Sequence, residues 1–373
     1  MSIIIFVIIL AVLILVHEFG HFLFAKLFKI RVDEFGIGYP PRAYTFFTWK
    51  GTRFTLNWIP FGGFVKIFGE NGDETPETSG VENTISEPVT IGKSFMQAPR
   101  IAQAIVLVAG VGFNLIFAWI LISIGFVVGL PTSTSTTDVG QIENPKLVIT
   151  LVTPDSPAAQ AVLKSGDVIT AVSTDKESAK ELTPESVSEF IGNHGENDIS
   201  ISYARGEETG SVVLSPVSGI IEGKKAVGIS MDTIGTLSLP IHAAFWEGAK
   251  TTVNLTEATA VGLGTFIYDA VRGHSDFSQV TGPVGIVGLV GDASKLGFVY
   301  LLSFTAFISI NLAVINLVPF PALDGGRLLF VIIETIKRSP ISSRVSIVLN
   351  TVGFAILLIF MVLVTIQDVS RLF

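Results

Sequence analysis

The chain has 373 residues, 49% of them hydrophobic and only 15% charged, with a mean hydropathy of +0.62 and a formal net charge of -8. This is too apolar for an ordinary soluble enzyme and points to an integral membrane protein in contact with the lipid bilayer. The acidic balance gives no support to nucleic-acid binding, and the absence of cysteine excludes disulfides and thiolate metal ligands.

Three segments are long and apolar enough to span a bilayer, Ser2–Phe28, Ile101–Leu130 and Phe298–Val318. A fourth, Val345–Ile366, is nearly free of charge. The first does not read as a removable signal peptide. No basic residue follows Met1, the apolar run outlasts an ordinary signal core, and cleavage after it would strand the motif it carries. That motif is His17-Glu18-Phe19-Gly20-His21, an H-E-x-x-H pattern. On a helix the two imidazoles stand one turn apart and can share one metal, while Glu18 projects nearby to activate water. Ionisable groups at membrane depth are costly and usually functional, which weighs against a chance match.

Charge in the loops predicts orientation. Nine Lys and Arg lie between Lys26 and Arg100, and Arg327, Lys337, Arg338 and Arg344 form a second basic cluster; both regions are expected in the cytoplasm. Between Pro131 and Pro240 stand 15 acidic and 7 basic residues, so this insert and both termini are expected outside. The expected location is a multi-pass protein of a bacterial inner or plasma membrane.

After the first span, Phe35–Gly69 carries β-rich runs around the Lys50-Gly51 turn and reads as hairpins. Trp58–Lys66 is too apolar for a solvated loop and too rich in Gly and Pro for a helix, so it is expected to dip into the membrane beside the metal site or to form a surface hairpin with an apolar face. Glu70–Pro88 reads as a flexible acidic loop without chemistry. In the second span, Gly110, Gly112 and Asn114 suggest close helix contact, with Asn114 bonding a neighbouring helix in preference to a role at the site.

Thr132–Thr137 reads as a linker, followed by about 95 residues with the strand and turn signals of one small domain. Within it Leu147–Thr170, with its Ser156-Pro157 helix start and Gly166-Asp167 turn, resembles a bacterial PDZ domain. The familiar pattern has glycine where Ala161 or Val162 stands. A groove there could accept an extended peptide, or the domain could only obstruct access as a gate. Ala243–Thr259 reads as an interfacial helix, followed by Thr281–Val287.

At the cytoplasmic end of the third span stands Asn316–Arg327, where prolines interrupt the helix and Gly325-Gly326 permit close backbone approach. Asp324 can thus be aimed inward as a third metal ligand, or can cap the helix that follows. The predicted topology brings it to the depth of His17 and His21. Glu18 would then accept a proton from water and pass it to the leaving amine, with Asn316 a donor to the substrate.

With HEFGH in the first span, the Gly-Pro-Val-Gly-Ile stretch at 282–286 and Asn-x-x-Pro-x-Pro-x-Leu-Asp-Gly-Gly at 316–326, the chain resembles the site-2 protease family of intramembrane zinc metalloproteases. The exported PDZ-like insert makes it similar to the bacterial RseP-type branch. The resemblance implies Zn2+ held by His17, His21 and Asp324, Glu18 as the catalytic carboxylate and Asn316 at the substrate. It also implies hairpins that bind an unwound substrate strand, here assigned to Arg53, Phe54, Thr55, Leu56, Asn57 and Trp58. The implied substrate is a single-span transmembrane protein, an anti-sigma factor or a signal-peptide remnant, already trimmed by an upstream site-1-type protease. Many members carry two PDZ domains; this chain has room for one.

The expected fold is therefore a polytopic α-helical membrane protein with about four transmembrane helices, membrane-associated β-hairpins and one α+β PDZ-like extracytoplasmic domain. Its expected divisions are 1–130, 138–233, 241–296 and 297–373. Two other classes remain open: a membrane PDZ scaffold with a structural metal site, and a metal transporter. An intact Glu18 argues against the first, and the lack of a chain of acids and histidines across the spans argues against the second.

Overall fold

A computed structural model describes residues 1–70, 93–134, 142–206, 208–221, 224–274, 280–339 and 341–371. In chain order it begins with α1 (Ser2–Leu27), the strands β1 (Val32–Trp49) and β2 (Thr52–Ile67), and α2 (Arg100–Val128). There follow β3 (Leu130–Ser133), β4 (Ile142–Val152), α3 (Pro157–Gln160), β5 (Val168–Ser173) and α4 (Pro184–Asn193). Next come β6 (Ile199–Arg205), β7 (Glu208–Leu214), β8 (Val217–Ile221), β9 (Lys224–Ala226) and β10 (Ile229–Leu237). The chain closes with α5 (Ile241–Val271), α6 (Pro283–Leu296), α7 (Phe298–Leu317), α8 (Asp324–Lys337) and α9 (Ser343–Ser370). Two compact units result, one of Met1–Ser123 with Phe245–Phe373, the other of Ile124–Ala244.

Among the described residues, four helices are long and apolar enough to cross a membrane: Ser2–Leu27, Arg100–Val128, Phe298–Leu317 and Arg344–Ser370. Ile9 and Leu13 of α1 pack with Val290 of α6 in one apolar cluster. The Thr281–Val287 stretch proves to be the start of α6. Pro283 stands in its first turn, where a missing N–H costs nothing, and buried Asp368 of α9 accepts from the N–H groups of Gly282 (3.1 Å) and Gly285 (2.8 Å). The expected interfacial helix is longer than its apolar pattern suggested, because α5 runs for 31 residues.

The expected hairpins form one folded ribbon. Glu34 to Ile37 face Lys66 to Gly63 on one side and Arg53 to Leu56 on the other, while Arg42 to Trp49 face Asn57 to Thr52. The ribbon sits on α1 through the rings of Phe22, Phe35 and Phe54, whose centroids lie 5.5 Å apart in each pair. Glu34 holds two segments together: it accepts from the Thr55 hydroxyl (2.7 Å) and from Arg42 Nη2 (2.8 Å). Burial alone would raise the Glu34 carboxyl, but those bonds outweigh it and hold it below the usual carboxylate range. The acidic loop beyond Glu70 lies outside the described residues.

The second unit is a six-stranded antiparallel sheet in the order β3-β10-β4-β5-β6-β7. Leu147, Ile149, Ile199 and Ile201 alternate inward and meet Ala158, Leu163, Val187 and Ile191. Ser156 caps α3 and Thr183 caps α4, each accepting at 3.2 Å from the amide three residues on. Asp167, 1% exposed, is held by Arg205 through two bonds of 2.7 Å. The unit begins earlier than expected. Thr132 and Ser133, read as the start of a linker, belong with Leu130 and Pro131 to an edge strand that pairs with Ile234–Leu237; residues 135–141 lie outside the described part.

Val162, one of the two positions where the PDZ pattern carries glycine, adopts φ +63°. A β-branched side chain is strained there by about 1–2 kcal/mol, which glycine would not suffer. Val162→Gly is therefore expected to stabilise this unit by about 1 kcal/mol, read as roughly fivefold slower hydrogen exchange in β4 and β5. Unchanged or faster exchange would show that the backbone carries no such strain.

Candidate metal centre

Three donors from two distant parts of the chain converge. His17 Nε2 lies 2.9 Å from Asp324 Oδ2, His21 Nε2 lies 3.3 Å from the same oxygen, and the two Nε2 atoms are 3.2 Å apart. With ligand bonds of about 2.0–2.1 Å, tetrahedral donors stand roughly 3.3 Å apart, so the spacing fits zinc. Two imidazoles and one carboxylate also match a catalytic donor set that leaves a position for water. Among the described residues this trio is the only group of His, Asp and Glu side chains so gathered.

The histidines reach this point because α2 lies very close. A Cβ on Gly20 would meet the carbonyl oxygen of Ala109 at 2.5 Å, and one on Gly110 would come within 2.8 Å of both rings. His21 donates from Nδ1 to the carbonyl of Val106 at 2.8 Å, which leaves its Nε2 lone pair for a metal. Gly112, by contrast, faces open space.

Asp324 arrives by irregular backbone. The connection after α7 holds Pro319 and Pro321, turns through Ala322 at φ +78°, and enters α8 at Asp324. Leu323 occupies the N-cap, so Asp324 is the first helical residue, and its carboxylate goes to the histidines and not to the helix end. Gly325 and Gly326 leave no space for side chains: a Cβ would meet Leu317 and Phe320 carbonyl oxygens at 2.3 and 2.2 Å.

Glu18 is half-buried beside the trio and faces the ribbon, with its Cγ 3.7 Å from where a Cβ on Gly63 would stand. Asn316 lies in the last turn of α7, and among the described residues no hydrogen bond joins it to His17, Glu18, His21 or Asp324. Asn114 gives the larger surprise. It is fully buried, and its amide lies 3.2 Å from His17 Nδ1, so it belongs to the metal centre and not to a remote helix contact. Its signal in the sequence is a polar amide midway along an apolar span.

The expectation that Arg53–Trp58 forms a receiving edge needs correction. Arg53 to Leu56 are flanked by β1 segments on both sides, so their backbone has no open side for a further strand. Phe54 is packed among Phe22, Phe35 and Phe47, Thr55 is spent on Glu34, and buried Asn57 donates to the Gly38 carbonyl at 3.0 Å. Arg53 and Trp58 are exposed, as is Leu56. Among the described residues the strand pairs of Gly63, Phe64 and Val65 all lie on the β1 side, and no strand is paired with their other side; Gly63 is buried, near Ile14 and Glu18 of α1.

The model of Peptidase family M50 matches residues 5–360. A Clostridium perfringens protein named as a zinc metalloprotease is 33% identical over 96% of this chain and 95% of its own length. A second protein so named, from Nostoc, is 31% identical over 100% and 97%. The regulator of sigma-W protease RasP of Bacillus subtilis is 28% identical over 100% and 99%.

Removing a donor and crowding the donors should differ in degree. Asp324→Ala is expected to abolish stoichiometric zinc in the purified protein, while Gly110→Ala, which pushes on both rings, is expected to weaken zinc about 10–100-fold. Chelator competition measures both. Full occupancy in Asp324→Ala would remove this residue from the ligand set.

Proposed function

The chain belongs to peptidase family M50, the site-2 proteases, and on that premise we propose specific roles for its residues in intramembrane zinc proteolysis. The convergence of His17, His21 and Asp324 beside Glu18 carries the reading. These three side chains hold the zinc. Bound there, zinc polarises a peptide carbonyl and acidifies water. Glu18 takes the proton from the attacking water and returns it to the leaving amine. Asn316, at the end of the helix that leads to Asp324, donates to the substrate backbone.

A transmembrane substrate hides its peptide carbonyls in helical hydrogen bonds and must unwind to present one. The side of Gly63–Val65 that pairs with no described strand supplies backbone groups for an extended segment within reach of Glu18. Gly63 is suited to this place, since a side chain there would press on Gly36 and approach Glu18. Substrate is thus held by strand addition at this outer segment.

The substrate class is a single-span membrane protein already shortened by another protease. One relative is named for regulating sigma-W, which supports a membrane-anchored anti-sigma factor; a signal-peptide remnant is the other single-span class. The charge distribution supports a cytoplasmic side for residues 26–100 and 327–344 and an outer side for the Ile124–Ala244 unit, which we read as a PDZ-like domain.

Glu18→Gln is expected to keep zinc and to lower cleavage about 10²–10⁴-fold, trapping uncut substrate for identification from native membranes. Undiminished cleavage would assign the proton transfer to another group. Strand addition has its own test in Phe64→Pro and Val65→Pro. Adjacent N–H groups point to opposite sides of a strand, so one of the pair should spare fold and zinc while depressing cleavage at least tenfold. Cleavage indifferent to both substitutions would rule out this edge.

A further inference from the structure

The metal-facing side of α2 is a stripe of three residues four apart, Val106, Gly110 and Asn114, which a helix places on one face. Val106 offers its carbonyl to His21 Nδ1, Gly110 offers empty space to both rings, and Asn114 brings its side-chain amide to His17 Nδ1. Among the described residues, Asn114 Oδ1 is a buried acceptor without a hydrogen-bond partner. Ser309 of α7 donates to the Asn114 carbonyl at 2.8 Å, so the residue is fixed from a second helix as well.

We propose that Asn114 is a positioning residue of the metal centre, accepting a hydrogen bond from His17 Nδ1–H through Oδ1 and so presenting Nε2 to zinc. The inference rests on His17 as a ligand. A neutral imidazole that gives its Nε2 lone pair to a metal keeps its one hydrogen on Nδ1, and that atom must then donate. An amide nitrogen cannot receive it. The two ends of an asparagine amide have the same shape, and turning this one over sets Oδ1 against His17 and gives the orphaned acceptor its donor. Both ligand histidines would then donate to α2, one to a backbone carbonyl and one to a side-chain carbonyl, and both would be locked in the tautomer that binds metal.

The alternative is a purely structural amide that donates, and acceptor-only chemistry separates the two. Asn114→Asp keeps an acceptor and loses the donor; Asn114→Leu loses both. Zinc affinity by chelator competition and the visible spectrum of the cobalt-substituted protein read the site without relying on activity. Asn114→Asp is expected to bind zinc at least as tightly as the parent with the parental cobalt spectrum, and Asn114→Leu to bind about 10–100-fold more weakly with a shifted spectrum. Parental affinity in a folded Asn114→Leu overturns the proposal. So does a folded Asn114→Asp that loses zinc tenfold, and this variant decides alone if the leucine variant does not fold. His17→Ala serves as the separate check on the ligand: if it retains full zinc, the metal assignment fails independently of Asn114.

Discussion

The close approach of α1 and α2 at Gly20 and Gly110 is the constraint on which the rest of the site depends. Two imidazoles occupy the slot between the helices, and a side chain at either glycine would collide with backbone or with the rings. Small residues let helices meet where water is absent and the hydrophobic effect gives little drive between them. Here the same closeness brings the hydrogen-bonding groups of α2 to the histidines. The polar atoms thereby gain partners inside an apolar layer, where unpaired ones would be costly.

The third donor is placed by a different principle. A regular helix would carry its side chains past the cluster at fixed angles, so Asp324 is delivered at the beginning of a new helix after an irregular turn. That turn is braced by α9. Ala322 N–H donates to Asn350 Oδ1 at 3.2 Å, and Gly353 leaves so little room that a Cβ would lie 2.5 Å from the Pro321 carbonyl oxygen. Non-helical backbone at membrane depth is tolerable when packed on protein in this way. The last span thus holds the segment that carries Asp324 to the two histidines.

Much of the centre was legible because its chemistry is local or unusual. H-E-x-x-H states its own geometry on a helix, and an acid among prolines and glycines at a span end stands out from its surroundings. Asn114 was visible as a buried polar residue, but its partner could not be read, since 97 residues separate it from His17 and any neighbouring helix would have served. Which segment of the ribbon lies outermost is hidden in the sequence for a related reason. Alternation of apolar residues marks Arg53–Trp58 as β-structure, but only the fold-back of both strands makes it interior and leaves Gly63–Val65 outside. Likewise Thr132 and Ser133 have the composition of a linker and become part of a strand because β10 offers an edge.

One helix sets the register of the histidines, Glu18 and the ribbon. Successive residues on α1 are turned by about 100°, so His17 and His21 share one face while Glu18 and Phe22 share the next. The first face meets α2 and Asp324. The second meets the ribbon, with Phe22 gripping Phe35 and Phe54 and Glu18 beside Gly63. The aromatic contact is therefore more than packing: it fixes the ribbon's height along α1, one turn from the Glu18 carboxylate. A shift of the ribbon by one helical turn, about 5.4 Å, would leave the metal centre intact and carry the strand out of reach of Glu18.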